Sequence, residues 1–395
     1  MHIVFVPCFD FSCRFLVTCW AFLSSLYVVN DFRCRASRVK LLSDAERATG
    51  GVLREFLEKY GKVLDPDKEV KRLGQMHKES AKAIVEDYEL PMTAEEYSLA
   101  VMPIYQQRWS QAQELPGVNR LIQHLHKHGV PLGLASNSIK RHIGTKISHQ
   151  PGWKELFSVI IGGDEVSHGK PSPDIFLEAA RRLGFDASSC LVIEDSPVGV
   201  RAAKDAGTTV VAVPSLQNQA ERYSIANYVL RSLLEFQPEL WGLPPFEDWI
   251  QNALPIEPLY AKGLIREAVA QNSSVILSID SDNGSYDTLP DQISGIFFGW
   301  AKLQIQGIFK MVAAVSWDFS TGFSRRIIKP FILGEINNFI MEPLQLVFVG
   351  YVRKLFDEET VLDADIPTKE DASIAWNALD LPDFGKDAAE FSYKT

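Results

Sequence analysis

An α/β domain built on a parallel sheet, led by a helical segment and followed by an all-β barrel with a C-terminal helix, is the fold class this sequence predicts. Three observations predict it. Between residues 130 and 215, short apolar, β-branched runs alternate with amphipathic stretches. That is the pattern of strands covered on both faces by helices. Ahead of this block, apolar residues recur at helical spacing, as in GVLREFLEKYGKVL. After Pro255 the alternation stops, and strand-like runs follow one another with little helix between them. The 395 residues are too many for one ordinary domain, so two are expected. The formal net charge is −10 and no Lys/Arg block stands out, which excludes nucleic acid as a main partner.

Residues 1–40 differ in texture from everything after them. The first 30 residues carry two charged side chains, Asp10 and Arg14. The run from Phe15 to Asn30 is apolar and uncharged. A bilayer-crossing helix needs about 20 apolar residues, so the run is short for a span and suits a signal-peptide core better. No small-x-small cleavage site follows, and Arg33, Arg35, Arg38 and Lys40 put positive charge after it. Four of the five cysteines, Cys8, Cys13, Cys19 and Cys34, crowd this segment. With no C-x-x-C pair and no histidine partner, they are not read as a metal site. Three readings stay open: a targeting segment, a buried strand-plus-helix, and a wrongly joined start.

Residues 44–126 read as mostly helical. GVNRLIQHLHKHG is a helix closed by Gly129, and VPLGLAS is a buried strand. SVIIGGD is the next strand, and DIFLEAARRLG a helix stopped by Gly184. CLVIEDS is a strand, VGVRAAKDAG a helix and TTVVAVPS a strand. Residues 216–255 read as a helical linker, with SIANYVLRSLLEF ahead of a proline-bearing stretch. GIFFGWAKL, GIFKMVAAVSW, RRIIKPFIL and LQLVFVGYVR are strands, and KEDASIAWNALDL is a final helix.

Polar groups converge where the parallel strands end. Ser136 ends LGLAS and is followed by Asn137 and Ser138; Lys170 follows GGDEVSHG; Glu194 and Asp195 end LVIED. Ligands of such sheets sit at the carboxyl ends of the strands. A hydroxyl that donates to a phosphate oxygen, an ammonium that offsets its charge and carboxylates that hold a hard cation are what phosphate and Mg²⁺ require. Each residue alone has a plainer role. A serine after a strand is usually a helix cap, and a single lysine is usually solvated. It is their order and placement together that favour the chemical role.

With LASNS, GKPSPDIF and VIEDS in this order, the chain resembles the haloacid dehalogenase-like hydrolase superfamily over residues 41–215, with a helical cap at about 50–115. The resemblance implies a Rossmann-like domain, with Ser136 and Lys170 in the phosphate site and Glu194 and Asp195 toward Mg²⁺. It also implies an aspartate nucleophile in a D-x-D-G-T-L context at the end of the first strand. That motif would fall at Ala36 to Lys40, where the chain reads ASRVK. Asp10 is the one upstream candidate, and it lacks the family's following residues. The central strand is also missing, so the apolar N-terminal segment is expected to fill the gap.

Continuing through WGLPPFEDWI and LPIEP into SGIFFGWAKL and GIFKMVAAVSW, the chain resembles the plant bifunctional riboflavin kinase/FMN phosphatase family over residues 41–395. That implies a six-stranded riboflavin kinase-like barrel at 256–395 which takes ATP and Mg²⁺, with riboflavin and FMN as small-molecule partners. A membrane partner is not expected, and the single cysteine of the internal domains fits a cytoplasmic location, while the apolar N-terminal segment leaves membrane or secretory targeting open. Gly263 matches the start of a glycine-rich phosphate loop, but IREAVAQNSS follows where more glycines belong. Ser281 and Asn283 stand at the P-T-A-N position, as an ATP/Mg²⁺-binding remnant or a polar turn. Lys329 stands where the resemblance puts a glutamate general base. A lysine protonated at neutral pH cannot take the ribityl hydroxyl proton as a carboxylate can. Asp318 and Ile340-Met341 replace an asparagine and a Tyr-Gly of the family. The expected function is therefore flavin nucleotide metabolism with both activities in doubt. The alternative is a non-catalytic relative that binds flavin, phosphate or a protein.

Overall fold

The computed structural model describes residues 4–7, 51–65, 68, 77–109, 114–214, 220–271, 274–280, 289–290, 292–304, 307–318, 325–334, 343–355 and 367–385. The side chains of 4–7 and 266–280 are not among the described features. The chain packs as two compact units that do not follow one another in sequence. The first comprises Met1–Ala112, Leu125–Val210 and Pro238–Pro244; the second comprises Gln113–His124, Val211–Gln237 and Pro245–Thr395.

A short strand β1 (Val4–Pro7) opens the chain. Helices α1 (Val52–Glu58), α2 (His77–Asp87) and α3 (Ala94–Trp109) then pack around their own core of Val52, Phe56, Leu57, Ile84, Tyr88, Tyr97 and Val101. Next come α4 (Val118–Lys127), β2 (Gly133–Ser136), α5 (Lys140–Ile147), α6 (Trp153–Leu156) and β3 (Val159–Gly162). They are followed by α7 (Asp174–Leu183), β4 (Cys190–Glu194), α8 (Pro197–Asp205), β5 (Thr209–Ala212) and β6 (Tyr228–Val229). Gly184 takes the left-handed conformation at the end of α7, φ 83°, which only glycine adopts without strain.

The six strands form one sheet in the order β3-β2-β1-β4-β5-β6. Strands β2 and β3 run parallel, as do β5 and β6. The apolar N-terminus does fill the central gap, but in the opposite direction: β1 is antiparallel to both β2 and β4. Phe5 faces Gly133 and Val192, and Pro7 faces Cys190, the first residue of β4. The carboxyl end of β1 therefore lies at the sheet edge where β2 and β4 begin, away from the edge where they end. The expected parallel sheet is in fact a mixed one.

Residues 216–255 differ from the expected helical linker. They hold 3-10 turns at Ala220–Tyr223, Leu233–Glu235 and Pro238–Trp241, plus strand β6. Tyr223, Leu230, Leu233, Leu234 and Phe236 are all buried, so their helix-like spacing is met by successive tight turns. Ser232 caps the second turn by accepting from the Leu234 amide at 3.3 Å, and Pro238 cannot donate to a continuing helix.

The second fold is a closed barrel of β7 (Leu254–Gln271), β8 (Ser274–Asp280), β9 (Gly295–Leu303), β10 (Gly307–Asp318), β11 (Arg325–Leu333) and β12 (Pro343–Arg353), ordered β10-β11-β8-β7-β12-β9. Ala261, Phe297, Met311, Ala313, Val315, Ile328, Ile332, Leu346 and Phe348 form its inner core. Helix α9 (Lys369–Ala378) and the short α10 (Pro382–Gly385) bury Ala375, Ala378 and Phe384 against the outward residues Phe298, Val312, Ala314 and Val347. Thr368 caps α9 through the Asp371 amide at 3.1 Å, and Arg353 ties Asp371 back to β12 at 2.6 Å. Strands β7 and β8 were not read as strands from the sequence; Pro255, Pro258 and Gly263 interrupt the pattern of β7. Backbone pairing holds β7 to β12 and β8 to β7 and β11. No helix among the described residues is long and apolar enough to cross a membrane. The apolar run 15–30, the clustered cysteines and Asp10 lie outside the described residues.

One close approach sets the barrel wall. A Cβ on Gly299 would sit 1.9 Å from the Val347 carbonyl oxygen, a backbone atom that cannot turn away. Gly299→Ala is expected to cost about 3 kcal/mol or more by overpacking, measured by urea unfolding. A change below about 1 kcal/mol would show that β9 and β12 do not approach so closely.

Candidate functional site

Strand β2 delivers Ser136 to the sheet edge with no exposed surface, on the fully buried Leu134 and Ala135. Its hydroxyl oxygen accepts from the Ser138 amide at 3.2 Å, which turns the chain sharply. Ser136 is not a helix cap: the residue ahead of α5 is Ile139, which supplies no side-chain cap. Asn137 and Lys170 hold each other. The Lys170 amide donates to Asn137 Oδ1 at 2.9 Å, and Asn137 Nδ2 donates to the Lys170 carbonyl at 3.2 Å. This reciprocal pair locks the loop after β2 to the loop that carries Lys170. The Lys170-Pro171 peptide is cis.

Lys170 Nζ lies 3.3 Å from Glu194 Oε2, with side chains 2% and 0% exposed. The ammonium also lies 4.8 Å above the Phe176 ring, a cation–π contact. Burial pushes the Lys170 ammonium below its usual range, against the attraction of Glu194 and Asp195. Burial likewise pushes the Glu194 carboxyl up, against the attraction of Lys170 and the Ser196 hydroxyl. Ser196 Oγ donates to Glu194 Oε1 at 2.5 Å and accepts from the Gly199 amide at 3.1 Å, capping α8 with Pro197 next to it. Glu194 reaches this position because residue 199 is glycine: a Cβ there would lie 1.8 Å from Glu194 Oε1. Asp195 follows Glu194 and is also fully buried.

The structure thus brings Lys170 and Glu194 into contact, with Ser136 and Asp195 buried at the ends of β2 and β4, the two strands that flank β1. It does not assemble the corresponding barrel residues. Gly263 lies inside strand β7, paired with Leu344 of β12, and not in a phosphate-binding loop. The residues after it continue as a hairpin with β8, from Leu264 opposite Asp280 to Gln271 opposite Ser274. Lys329 sits in β11 opposite Ala314 of the outer core. Its neighbours Ile328 and Ile332 face inward, so alternation puts Lys329 on the outer wall with Phe331. Ser281, Asn283 and Ile340-Met341 lie outside the described residues.

Sequence reasoning missed Asn137 as a loop lock and Gly199 as the space that admits Glu194. Their signals were weak ones, an Asx beside a strand end and a glycine near a helix start. Mg²⁺ at phosphate sites takes one or two carboxylates plus phosphate oxygens and waters. Glu194 is committed to Lys170 and Ser196, and no group of three or more His, Cys, Asp or Glu among the described residues could hold a metal.

The fold and these strand-end groups define a haloacid dehalogenase-like domain joined to a six-stranded barrel. The haloacid dehalogenase-like hydrolase family matches residues 37–207. The bifunctional riboflavin kinase/FMN phosphatase of Arabidopsis thaliana is 45% identical over 350 residues, which is 87% of this chain and 92% of that protein. The (DL)-glycerol-3-phosphatase 2 of the same plant is 37% identical over 218 residues, 53% of this chain and 90% of that one. Among solved structures, CbbY from Rhodobacter sphaeroides in complex with phosphate covers 49% of this chain and 91% of its own at 24% identity, with a TM-score of 0.44. The chain belongs to the bifunctional riboflavin kinase/FMN phosphatase family.

The buried ion pair gives a sharp expectation. Lys170→Met leaves Glu194 charged and buried without its cation, which should cost about 3–5 kcal/mol. Lys170→Met with Glu194→Gln should recover most of that loss. Urea unfolding of the two variants is the measurement, and equal losses would show that the pair does not act as a unit.

Proposed function

We propose that this chain works in flavin nucleotide metabolism as a relative that binds a phosphate monoester through its α/β domain without cleaving it. The observation that supports this is the direction of β1. In the family the nucleophilic aspartate follows the central strand at the edge where Ser136 and Glu194 end their strands. Here the central strand runs the other way, so its carboxyl end points to the opposite edge. Without an attacking carboxylate, Ser136, Lys170 and Asp195 can hold a phosphate but cannot begin its transfer.

The family implies Mg²⁺ for the phosphatase and ATP for the kinase, with riboflavin and FMN as their flavins. For the barrel, this reading keeps flavin binding and gives up turnover. Lys329 replaces the base and lies on the outer wall, and Gly263 continues a strand where a phosphate loop is needed. Nucleic acid has no part in it.

Purified chain with FMN is expected to release no inorganic phosphate. Release that disappears on Asp195→Asn would overturn the reading for the first domain. Incubation with riboflavin and Mg²⁺-ATP is expected to form at most traces of FMN, and steady turnover would overturn it for the barrel. Flavin fluorescence quenching then separates a binder from a purely structural relative.

A further inference from the structure

Lys146 and Trp109 are used by none of the groups described so far; Lys146 reaches the loop after β2, and Trp109 covers Lys146. Lys146 stands on α5, is 8% exposed, and donates from Nζ to Ser138 Oγ at 3.3 Å. The same ammonium lies 4.7 Å above the Trp109 ring. Trp109 ends α3 and is itself buried. Its ring also packs on His142, one turn before Lys146 on α5, with centroids 5.5 Å apart. Tyr105, one turn back on α3, stacks on Trp109 at 6.1 Å. An indole from the helical segment therefore covers an i, i+4 pair of buried basic side chains on the helix that follows Ser136-Asn137-Ser138.

The consequence for Ser138 follows from donor counting. A lysine ammonium donates and cannot accept, so the Ser138 oxygen is the acceptor in this contact. The hydroxyl hydrogen of Ser138 is thereby turned away from Lys146 and left to donate to another group. The backbone is fixed as well. The Ser138 amide donates to Ser136 Oγ at 3.2 Å, and its carbonyl accepts from the Gly163 amide at 2.9 Å. A hydroxyl with its backbone pinned and its oxygen engaged is a pre-aimed donor for an anion. Lys146 thus reaches the loop at Ser138, and the Lys170 backbone meets it at Asn137.

We propose that Lys146, held under Trp109, is a positioning residue for the phosphate group. It orients the Ser138 hydroxyl as a donor and couples helix α3 to the phosphate-binding loop. The proposal rests on the phosphate-binding reading above and deepens it, because it makes occupancy of the site depend on a residue of the helical segment.

The test is calorimetric titration of the full chain with inorganic phosphate. Lys146→Met is expected to weaken binding about tenfold, the size of one charge-assisted hydrogen bond. Lys146→Arg, which keeps the charge and the donors, should restore most of it. Ser138→Ala should weaken binding to a similar degree, and the double variant should lose no more than either single one. Trp109→Leu should weaken binding by a smaller factor. Lys146→Gln replaces the Met variant if that one does not fold. Unchanged binding in Lys146→Met, or losses for Lys146 and Ser138 that multiply, would sink the proposal while leaving the site intact. If the unaltered chain binds no phosphate, the underlying reading fails and this inference with it. If Lys170→Met abolishes binding and Lys146→Met does not, the positioning role alone fails.

Discussion

An ammonium and a carboxylate buried together, Lys170 against Glu194, are the interaction on which the strand-end site depends. Neither charge could be taken out of water alone without a penalty of several kcal/mol. Each therefore needs the other, and their surroundings serve the pairing. Asn137 grips the Lys170 backbone from the neighbouring loop, Ser196 holds the second oxygen of Glu194, and Gly199 leaves room for that carboxylate. The loops after β2 and β4 are in this way drawn to one point. A single buried pair fixes where any ligand at this edge would sit.

Such a pair supports chemistry without performing it. Phosphoryl transfer to protein needs an atom that attacks, and in this fold that atom follows the central strand. The direction of that strand is decided by pairing alone. An apolar run such as Val4–Pro7 satisfies its neighbours' backbone groups whether it runs with them or against them. Strand β1 therefore completes the sheet without bringing its own carboxyl end to the edge where Ser136 and Glu194 end their strands. Hydrophobic filling and chemical function are separable demands, and a strand can meet the first in either direction.

Legibility in the sequence divides along the same line. Strands β2 to β5 were readable because their apolar runs are short, β-branched and bounded by glycines, and Ser136, Lys170, Glu194 and Asp195 were readable because they end or follow those runs. The filling of the sheet centre by the N-terminal apolar segment was also foreseeable, since the fold needs a strand there. Its direction was not, because alternation of side chains carries no polarity. The turns at 220–241 were misread as helix because buried residues three and four apart suit successive 3-10 turns equally well. Strand β7 was hidden by Pro255, Pro258 and Gly263, and β8 lay beyond it; the bonds that hold them are made to β12, to β11 and to each other.

The barrel carries the argument a step further. Its inner residues, Phe297, Met311, Ile328 and Phe348 among them, are apolar and densely packed, and its outer wall is sealed by α9 and α10. Both selections keep the fold. Alternation along β11 puts Lys329 on the outer wall, opposite Ala314, with the packed inner face on the other side. A slip of one residue that turned Lys329 inward would turn Ile328 and Ile332 out of the core and break the wall that makes the barrel a barrel.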